Sequence, residues 1–227
     1  MAITNLAQGR RIRISLLGPP GVGKGTYSCK IAEYFNIPHI STGDLLRQEV
    51  FSGSELGKES AFYISKGLLV PDRIINQLLF KRLSQLDCRN GFVLDGYPRT
   101  LSQAQALENS YPLDGAVILQ APLDVILFRI SGRLYCPVCG EVYHEKWRPP
   151  SRLGVCDKCG SRLIKREDDR EEVVARRYIE YLETITPVIE FYRKNDKLLI
   201  FDASCDAKEG ISLLIKEIEN FMQRLEK

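Results

Sequence analysis

The 227-residue sequence contains no apolar run long enough to cross a bilayer. Its first residues lack the apolar block and the small-residue cleavage site of a secretory signal. It has no internal repeat and no low-complexity tract. The formal net charge of +3 is too small to indicate nucleic-acid binding by itself. We therefore expect no membrane partner and no nucleic-acid partner.

The composition is that of an ordinary globular protein, with 44% hydrophobic and 27% charged residues. The first thirteen residues carry three arginines and no acid, which would suit an organelle transit segment. An apolar stretch begins almost at once, however, and leaves little to remove. The sequence therefore predicts a cytoplasmic location, with an organelle as the alternative.

A glycine-rich run at 18–26 follows the apolar stretch 12–17. It matches the G-x-x-x-x-G-K pattern, but Gly25 stands at the usual Ser/Thr position and Thr26 comes one residue later. Glycines let the backbone turn its amides inward, and Lys24 and the start of the next helix add positive charge. This run predicts a loop that binds the phosphates of a nucleoside triphosphate. The alternative is a glycine-rich turn without a ligand.

Short apolar runs alternate with segments of helical periodicity along most of the chain. The predicted strands are 12–17, 37–40, 91–95, 115–120 and 197–202. The predicted helices are 25–35, several short ones from 44 to 67, 72–86, 168–193 and 208–225. This alternation predicts an α/β fold with a doubly wound parallel sheet of five strands.

The helical periodicity stops between Gly132 and Asp169, where cysteines, prolines, glycines and basic residues replace it. We interpret this stretch as an inserted subdomain. Its expected apolar core consists of Val138, Val142, Tyr143, Trp147, Leu153 and Val155.

The insert contains two C-x-x-C pairs separated by sixteen residues, a spacing typical of a tetrahedral metal site. The predicted ligands are Cys136, Cys139, Cys156 and Cys159. Four thiolates favour zinc, with iron as an alternative, and two disulfides are the reading without a metal. Since all four ligands come from the protein, the site would be structural. Cys29, Cys88 and Cys205 lack this spacing and are predicted to be packing residues.

Phosphoryl transfer requires fixed positive charge around the moving group, so arginines should converge on one place. Asp95 ends a predicted strand and Arg99 follows closely, at the edge where α/β sheets bind ligands. More arginines flank the insert, at positions 129, 133, 166, 170, 176 and 177. We expect Arg170 and Arg176 to lie on solvated helix faces. Asp168 and Asp169 are expected to pair with nearby arginines or to sit at a helix N-terminus.

Four ordered motifs together resemble the adenylate kinases of the long-lid type that carry zinc in the lid. They are Gly-x-Pro-Gly-x-Gly-Lys-Gly-Thr at 18–26, Ser-Thr-Gly-Asp at 41–44, Leu-Asp-Gly-Tyr-Pro-Arg-Thr at 94–100 and Asp-Asp at 168–169. The resemblance implies a P-loop nucleoside monophosphate kinase-like core with a five-stranded parallel sheet. It also implies a helical AMP-binding arm and a zinc-ribbon-like lid that close over the substrates. The core would comprise 1–40, 71–131 and 170–227, the arm 41–70 and the lid 132–169.

The resemblance implies a reversible, Mg²⁺-dependent transfer from ATP to AMP by a monomer, with zinc structural in the lid. The ATP set is Gly21, Val22, Gly23, Lys24, Gly25, Thr26, Arg129, Arg133, Val142, Tyr143 and Cys205. The AMP set is Thr42, Arg47, Leu68, Leu69, Val70, Gly96, Tyr97, Pro98, Arg99, Gln103, Arg166 and Arg177. The catalytic set is Lys24, Asp95, Arg99, Arg133, Arg166 and Arg177, in which Asp95 would orient water on Mg²⁺.

The sequence departs from the family pattern at three places. Leu68 replaces a frequent Lys at a main-chain contact, and Leu134 replaces a second Arg near the triphosphate. Residues 203–205 lack the usual Gly beside the donor base, which leaves GTP as an alternative donor. A more remote alternative is a zinc-ribbon nucleic-acid binder, because basic residues surround the cysteines.

Overall fold

A computed structural model describes residues 11–224. Its centre is a sheet of five strands in the order β2-β3-β1-β4-β7, with every pair parallel. These strands are β1 (Ile12–Leu17), β2 (His39–Ser41), β3 (Gly91–Asp95), β4 (Gly115–Gln120) and β7 (Leu198–Asp202). The predicted α/β class and the five-stranded parallel sheet are confirmed.

Eight α-helices lie within residues 11–224. They are α1 (Lys24–Phe35), α2 (Thr42–Ser52), α3 (Glu55–Lys66), α4 (Asp72–Leu83), α5 (Leu101–Ser110), α6 (Leu123–Ser131), α7 (Glu171–Lys194) and α8 (Ala207–Arg224). None of the helices in this part of the chain is both long and apolar enough to span a membrane.

Several predicted boundaries differ from the observed ones. β2 begins at His39, not at 37, because the Ile37 amide donates to Ala32 O and closes the end of α1. α4 ends at Leu83, three residues before the predicted end, and a separate 3₁₀ turn spans Leu86–Cys88. α7 begins at Glu171 and not at 168, since Glu167–Asp169 form a 3₁₀ turn and Arg170 is extended. Leu225, the predicted end of the last helix, lies outside the described residues.

Apolar side chains bury both faces of the sheet, as a doubly wound fold requires. On one face β3 and β4 pack against α4, α5 and α7, with Leu79, Leu107 and Val188 at 0% exposure. On the other face α1 and α8 pack against the sheet through residues such as Ile31 and Leu214. These two helical layers hold the strands in place. The motifs at 18–26 and 94–100 lie at the carboxyl ends of β1 and β3, at one edge of the sheet.

The insert between α6 and α7 forms its own small unit. β5 (Arg133–Tyr135) and β6 (Val142–His144) pair antiparallel, and Tyr135 also bridges to Ile164. The core of this unit consists of Cys136, Tyr143, Cys156 and Leu163.

The predicted lid core is therefore largely wrong. Val138, Trp147 and Leu153 are 72%, 58% and 90% exposed, and only Tyr143 of the predicted set is buried. Cys136 and Cys156 are buried at the centre of the unit, whereas Val138 and Leu153 lie in exposed turns. Trp147 packs instead beside Phe128 and His144.

The three other cysteines differ in their surroundings. Cys88 is buried and Cys205 is half-buried, as packing residues should be, but Cys29 is exposed. Cys29 lies on the solvent side of α1, whose buried face consists of Tyr27, Ser28, Ile31, Ala32 and Phe35. The prediction that Cys29 is a packing residue is wrong.

The buried helix faces generate a stability prediction. Leu79→Ala in α4 should lower the free energy of unfolding by about 2 to 5 kcal/mol, because it leaves a cavity in a closed core. Leu213→Ala in α8 is the matched control, since Leu213 is 46% exposed and should cost far less. Denaturant unfolding measures both variants. Equal losses would contradict the packing described here.

Candidate active site

The glycine-rich loop joins β1 to α1 at the carboxyl edge of the sheet. Gly18 and Gly21 have φ of +146° and +80°, which disfavour residues with a Cβ. A Cβ on Gly18 would lie 2.6 Å from Leu119 O, and one on Gly21 would lie 2.5 Å from the Ile130 side chain. The loop is therefore fitted closely between β4 and α6, and only glycine satisfies both its conformation and its space.

Lys24 lies at the start of α1 and turns back over the loop. Its ammonium donates to Gly18 O at 2.9 Å and to Pro19 O at 2.8 Å. Burial lowers the pKa of Lys24 to about 7, and the positive charge of Arg99 acts in the same direction against the opposing effect of Asp95. A cation so disfavoured would be stabilised by an anionic ligand beside it. The loop and Lys24 together form an anion-binding site.

Asp95 ends β3 next to this loop. A Cβ on Gly25 would lie 3.3 Å from Asp95 Oδ2, so the carboxylate is close to the start of α1. Burial opposes ionisation of Asp95, but His39, with Nε2 at 3.6 Å, and the charge of Lys24 outweigh it and keep the pKa of the carboxyl below its usual value. Asp95 is therefore ionised at neutral pH. An ionised oxygen donor beside a phosphate loop suits Mg²⁺.

Arginines converge beside Lys24 and Asp95. Arg99 donates from Nε to Gly96 O at 2.7 Å, and burial together with the charge of Arg177 lowers its pKa to about 10. Burial and the charges of Arg47 and Arg133 likewise lower the pKa of Arg166 to about 10. These shifts come from desolvated, mutually repelling cations.

Carboxylates balance part of this charge. Arg133 pairs with Asp169, Arg177 Nη1 lies 2.8 Å from Asp168, and Arg47 Nη2 lies 2.6 Å from Asp44. The expected pairing of Asp168 and Asp169 with arginines is confirmed. Arg170 and Arg176 are both exposed, as expected, but only Arg176 lies on a helix face, because Arg170 is extended and precedes α7.

One cleft of about 660 Å³, its open mouth included, lies between the core and helices α2 and α3. It contains ten of the predicted AMP residues: Thr42, Arg47, Leu68, Leu69, Val70, Gly96, Tyr97, Arg99, Gln103 and Arg177. A second cleft adjoins it and is lined by Lys24 and Pro98. Arg99, Arg177, Leu69 and Gly96 line both clefts. A ligand in one cleft is therefore next to a ligand in the other.

Arg129 joins the loop to two other regions. It donates to Val22 O at 2.8 Å and to Cys205 O at 3.2 Å, and its guanidinium lies 5.4 Å from the centre of the Trp147 ring. This brings together three members of the predicted ATP set. Tyr143 packs in the insert, where its hydroxyl contacts Cys156 Sγ at 3.6 Å, and Val142 is half-buried in β6.

Several residues of the site were not predicted from the sequence. Glu180 accepts from the Leu69 amide at 2.9 Å, and its position three residues after Arg177 on α7 could have indicated the shared helix face. Tyr135 lies 4.2 Å from the Arg166 guanidinium and 5.8 Å from that of Arg47. Asp72 accepts from Gln103 and Thr100. No local pattern marks Tyr135 or Asp72.

The four insert cysteines form one cluster. Their Sγ atoms all lie within 4.8 Å of one another, with Cys136 to Cys159 at 3.4 Å and Cys139 to Cys156 at 3.5 Å. A disulfide would need about 2.05 Å. A tetrahedral ion with bonds of about 2.3 Å would place the sulfurs about 3.8 Å apart. The residues present thus fit a four-thiolate metal ion.

Comparison with known proteins agrees with this geometry. A family model described as adenylate kinase matches residues 16–197. A protein named adenylate kinase from Thermosipho melanesiensis is 46% identical over 218 residues, covering 94% of this chain and 100% of that protein. The chain belongs to the adenylate kinase family. Two further adenylate kinases, from Caldicellulosiruptor saccharolyticus and Fervidobacterium nodosum, are 47% and 42% identical and cover 91% and 94% of the chain. They are covered over 97% and 100% of their own lengths.

The range matched by the adenylate kinase family, residues 16–197, includes the four-cysteine insert. The insert is therefore part of the kinase and not a separate ribbon beside it. The predicted family and fold are confirmed. The alternative prediction of a zinc-ribbon nucleic-acid binder is no longer supported.

Proposed function

We propose that this adenylate kinase transfers a phosphoryl group reversibly from ATP to AMP, giving two ADP without a covalent enzyme intermediate. The observation that carries the proposal is the pair of adjoining clefts, one lined by Lys24 and the other by Gln103. Arg99 and Arg177 line both, so two nucleotides could meet end to end between the same two cations. Positioning and fixed charge are what this reaction needs.

In the donor cleft, Lys24 and the backbone amides of 21–26 would hold the ATP phosphates. Arg129 would stack on the donor base, beside the carbonyl of Cys205, and Arg133 would approach the triphosphate. Bound Mg²⁺ would neutralise charge on the phosphates. Asp95 would orient a water molecule bound to Mg²⁺. The lowered pKa of the Asp95 carboxyl supports this role.

In the acceptor cleft, Thr42 and Gln103 would bind the adenine of AMP, and Arg47 its phosphate. Thr42 Oγ1 lies 3.2 Å from Asp95 O and 3.3 Å from Gly96 O, which fixes it beside the end of β3 in the wall of this cleft. The backbone at 68–70 and 96–98 would line the rest of the pocket. Glu180 supports this part by fixing the Leu69 amide.

Arg99, Arg133, Arg166 and Arg177 would surround the transferring group. Their partial burial supports this role, because a desolvated cation stabilises developing negative charge more than a hydrated one does. Asp168 and Asp169 would release their arginines when phosphate oxygens take their place. This exchange uses residues at the junction of the insert and α7.

We divide the chain into three parts on this basis. The core comprises 1–40, 71–131 and 170–227, the AMP-binding arm 41–70 and the lid 132–169; residues 1–10 and 225–227 lie outside the described residues. Both arms would close over the substrates and exclude water. We further propose zinc in the lid and a monomer in the cytoplasm, where reduced cysteines would remain available to the metal.

A coupled assay with a panel of donors and acceptors tests the proposed reaction. We expect ADP formation from ATP and AMP, with much lower kcat/KM for GMP, CMP and UMP. If GTP replaces ATP as the preferred donor, the chain is a GTP:AMP phosphotransferase.

Gln103→Ala should lower the preference for AMP over GMP by about 1 to 3 kcal/mol. Gln105→Ala, an exposed position on the same helix, is the control.

Lys24→Met should lower kcat by orders of magnitude in a folded protein, because it removes the ammonium that lies over the phosphate loop. Lys30→Met is the matched control, since Lys30 is exposed on the same helix and pairs with Glu33. Steady-state kinetics and circular dichroism on both variants separate lost chemistry from lost folding. Near-normal kcat in folded Lys24→Met would contradict the assigned role of the loop.

One zinc ion per chain should copurify with the reduced protein and should hold the lid together. Cys156→Ser should remove it, lower the melting temperature and raise the KM for ATP more than it lowers kcat. Cys29→Ser, an exposed cysteine outside the cluster, should change none of these. Elemental analysis and melting curves with and without chelator provide the measurement. Absence of stoichiometric zinc and iron, with unchanged melting, would leave the cluster without its proposed role.

A further inference from the structure

We propose that Asp72 sets the preference of the acceptor cleft for adenine over guanine by fixing the orientation of the Gln103 side-chain amide. The inference rests on the proposed function, in which Gln103 contacts the base of the acceptor nucleotide. Gln103 is 2% exposed and lines the cleft together with Thr42 and Arg47. Asp72 is therefore a positioning residue, acting through Gln103.

Two neighbours determine which end of the amide is oxygen. The Arg99 backbone N–H lies 2.8 Å from Gln103 Oε1 and can only donate. An Asp72 carboxylate oxygen lies 2.6 Å from Gln103 Nε2 and, when ionised, can only accept. A half-turn of the amide would place oxygen against oxygen and N–H against N–H. The orientation of Gln103 thus follows from the chemistry of its neighbours.

Asp72 is itself held in place. It is the first residue of α4, and its second carboxylate oxygen accepts from Thr100 Oγ1 at 3.0 Å. The same hydroxyl accepts from the Gln103 backbone N–H at 3.1 Å and caps α5. Asp72, Thr100 and Gln103 therefore form a closed set that joins the starts of two helices behind the cleft.

The fixed amide has one hydrogen-bond donor and one acceptor left for a ligand, in a defined order. Adenine carries an amino group as donor beside a ring nitrogen as acceptor, and a glutamine amide can pair with both. Guanine has a carbonyl oxygen in place of the amino group. This oxygen would be repelled by Gln103 Oε1, and turning the amide so that its N–H donates to the guanine oxygen would disrupt both contacts behind the cleft. A buried polar site of this kind rejects the wrong partner strongly.

The test compares kcat/KM for AMP and GMP, with ATP as donor, in the full-length protein and in Asp72→Asn. An Asn side chain has nearly the same shape but can donate to a turned Gln103 as well as accept. We expect the AMP-to-GMP ratio to fall by about tenfold, through a higher KM for AMP and a lower KM for GMP, with kcat for AMP retained. Asp72→Ser, which also suits a helix start, is a second variant that should lower the ratio.

Asp124→Asn is the matched control, because it removes an exposed carboxylate from the first turn of α6. If Asp72 only stabilised its helix, Asp72→Asn would lower melting temperature and affect AMP and GMP equally. An unchanged AMP-to-GMP ratio in Asp72→Asn and Asp72→Ser would overturn the proposal. In Gln103→Ala, the further change Asp72→Asn should leave the ratio as it is, since Asp72 acts only through Gln103. An additional fall in that double variant would also overturn it.

Different results would reject the proposed function and the role of Asp72. A wild-type protein that phosphorylates no nucleoside monophosphate would reject the proposed function. A wild-type protein that prefers AMP, with a ratio insensitive to Asp72, would reject only the role of Asp72.

Discussion

Repulsion among partly buried cations is the constraint on which this site depends. Lys24, Arg99 and Arg177 converge where two clefts meet, and the pKa of Lys24 falls to about 7 because burial and its positive neighbours oppose its charge. Such an arrangement is unfavourable without anions and favourable with them. The rigid sheet and its two helical layers are what keep these side chains from separating. The same repulsion that destabilises the ligand-free protein raises its affinity for phosphates.

The carboxylates around the site make that arrangement tolerable in the absence of ligand. Asp168 and Asp169 lie in one 3₁₀ turn and pair with Arg177 and Arg133, which come from α7 and β5. Buried charges that are paired cost much less than isolated ones. Both aspartates belong to a short turn between the insert and α7. Under the proposed function, phosphates that replaced these carboxylates would link ligand binding to the position of the insert through the two ion pairs.

Much of the fold could be predicted because strong local signals coincided with it. The run 18–26 required a turn between strand and helix, and the apolar runs at 91–95 and 115–120 were too short for helices. Boundaries were less predictable where tertiary contacts decided them, as at Ile37, whose amide closes α1. The predicted core of the insert was wrong for a related reason. Hydrophobicity predicted Leu153 and Val138 to be buried, whereas the buried core of the insert consists of Cys136, Tyr143, Cys156 and Leu163.

The site itself was predictable only as far as its motifs extend. Lys24, Asp95 and Arg99 stand within recognisable patterns, but Asp72 and Tyr135 act through contacts between distant segments. Asp72 meets Gln103 across 31 positions of sequence, and Tyr135 lies between arginines of the α2 region and the end of the insert. A charged residue at a helix start and a tyrosine in a short strand have ordinary local explanations. The additional contacts of Asp72 and Tyr135 can be seen only in the folded structure.

The position of Trp147 has a practical consequence. It is the single tryptophan of the chain, it belongs to the insert, and its ring stacks over Arg129, which is hydrogen-bonded to the phosphate loop. The chain therefore carries an intrinsic fluorophore where the insert meets the glycine-rich loop. Under the proposed closure of the lid, tryptophan emission would report in real time any separation of the insert from the loop, without a label attached to the protein.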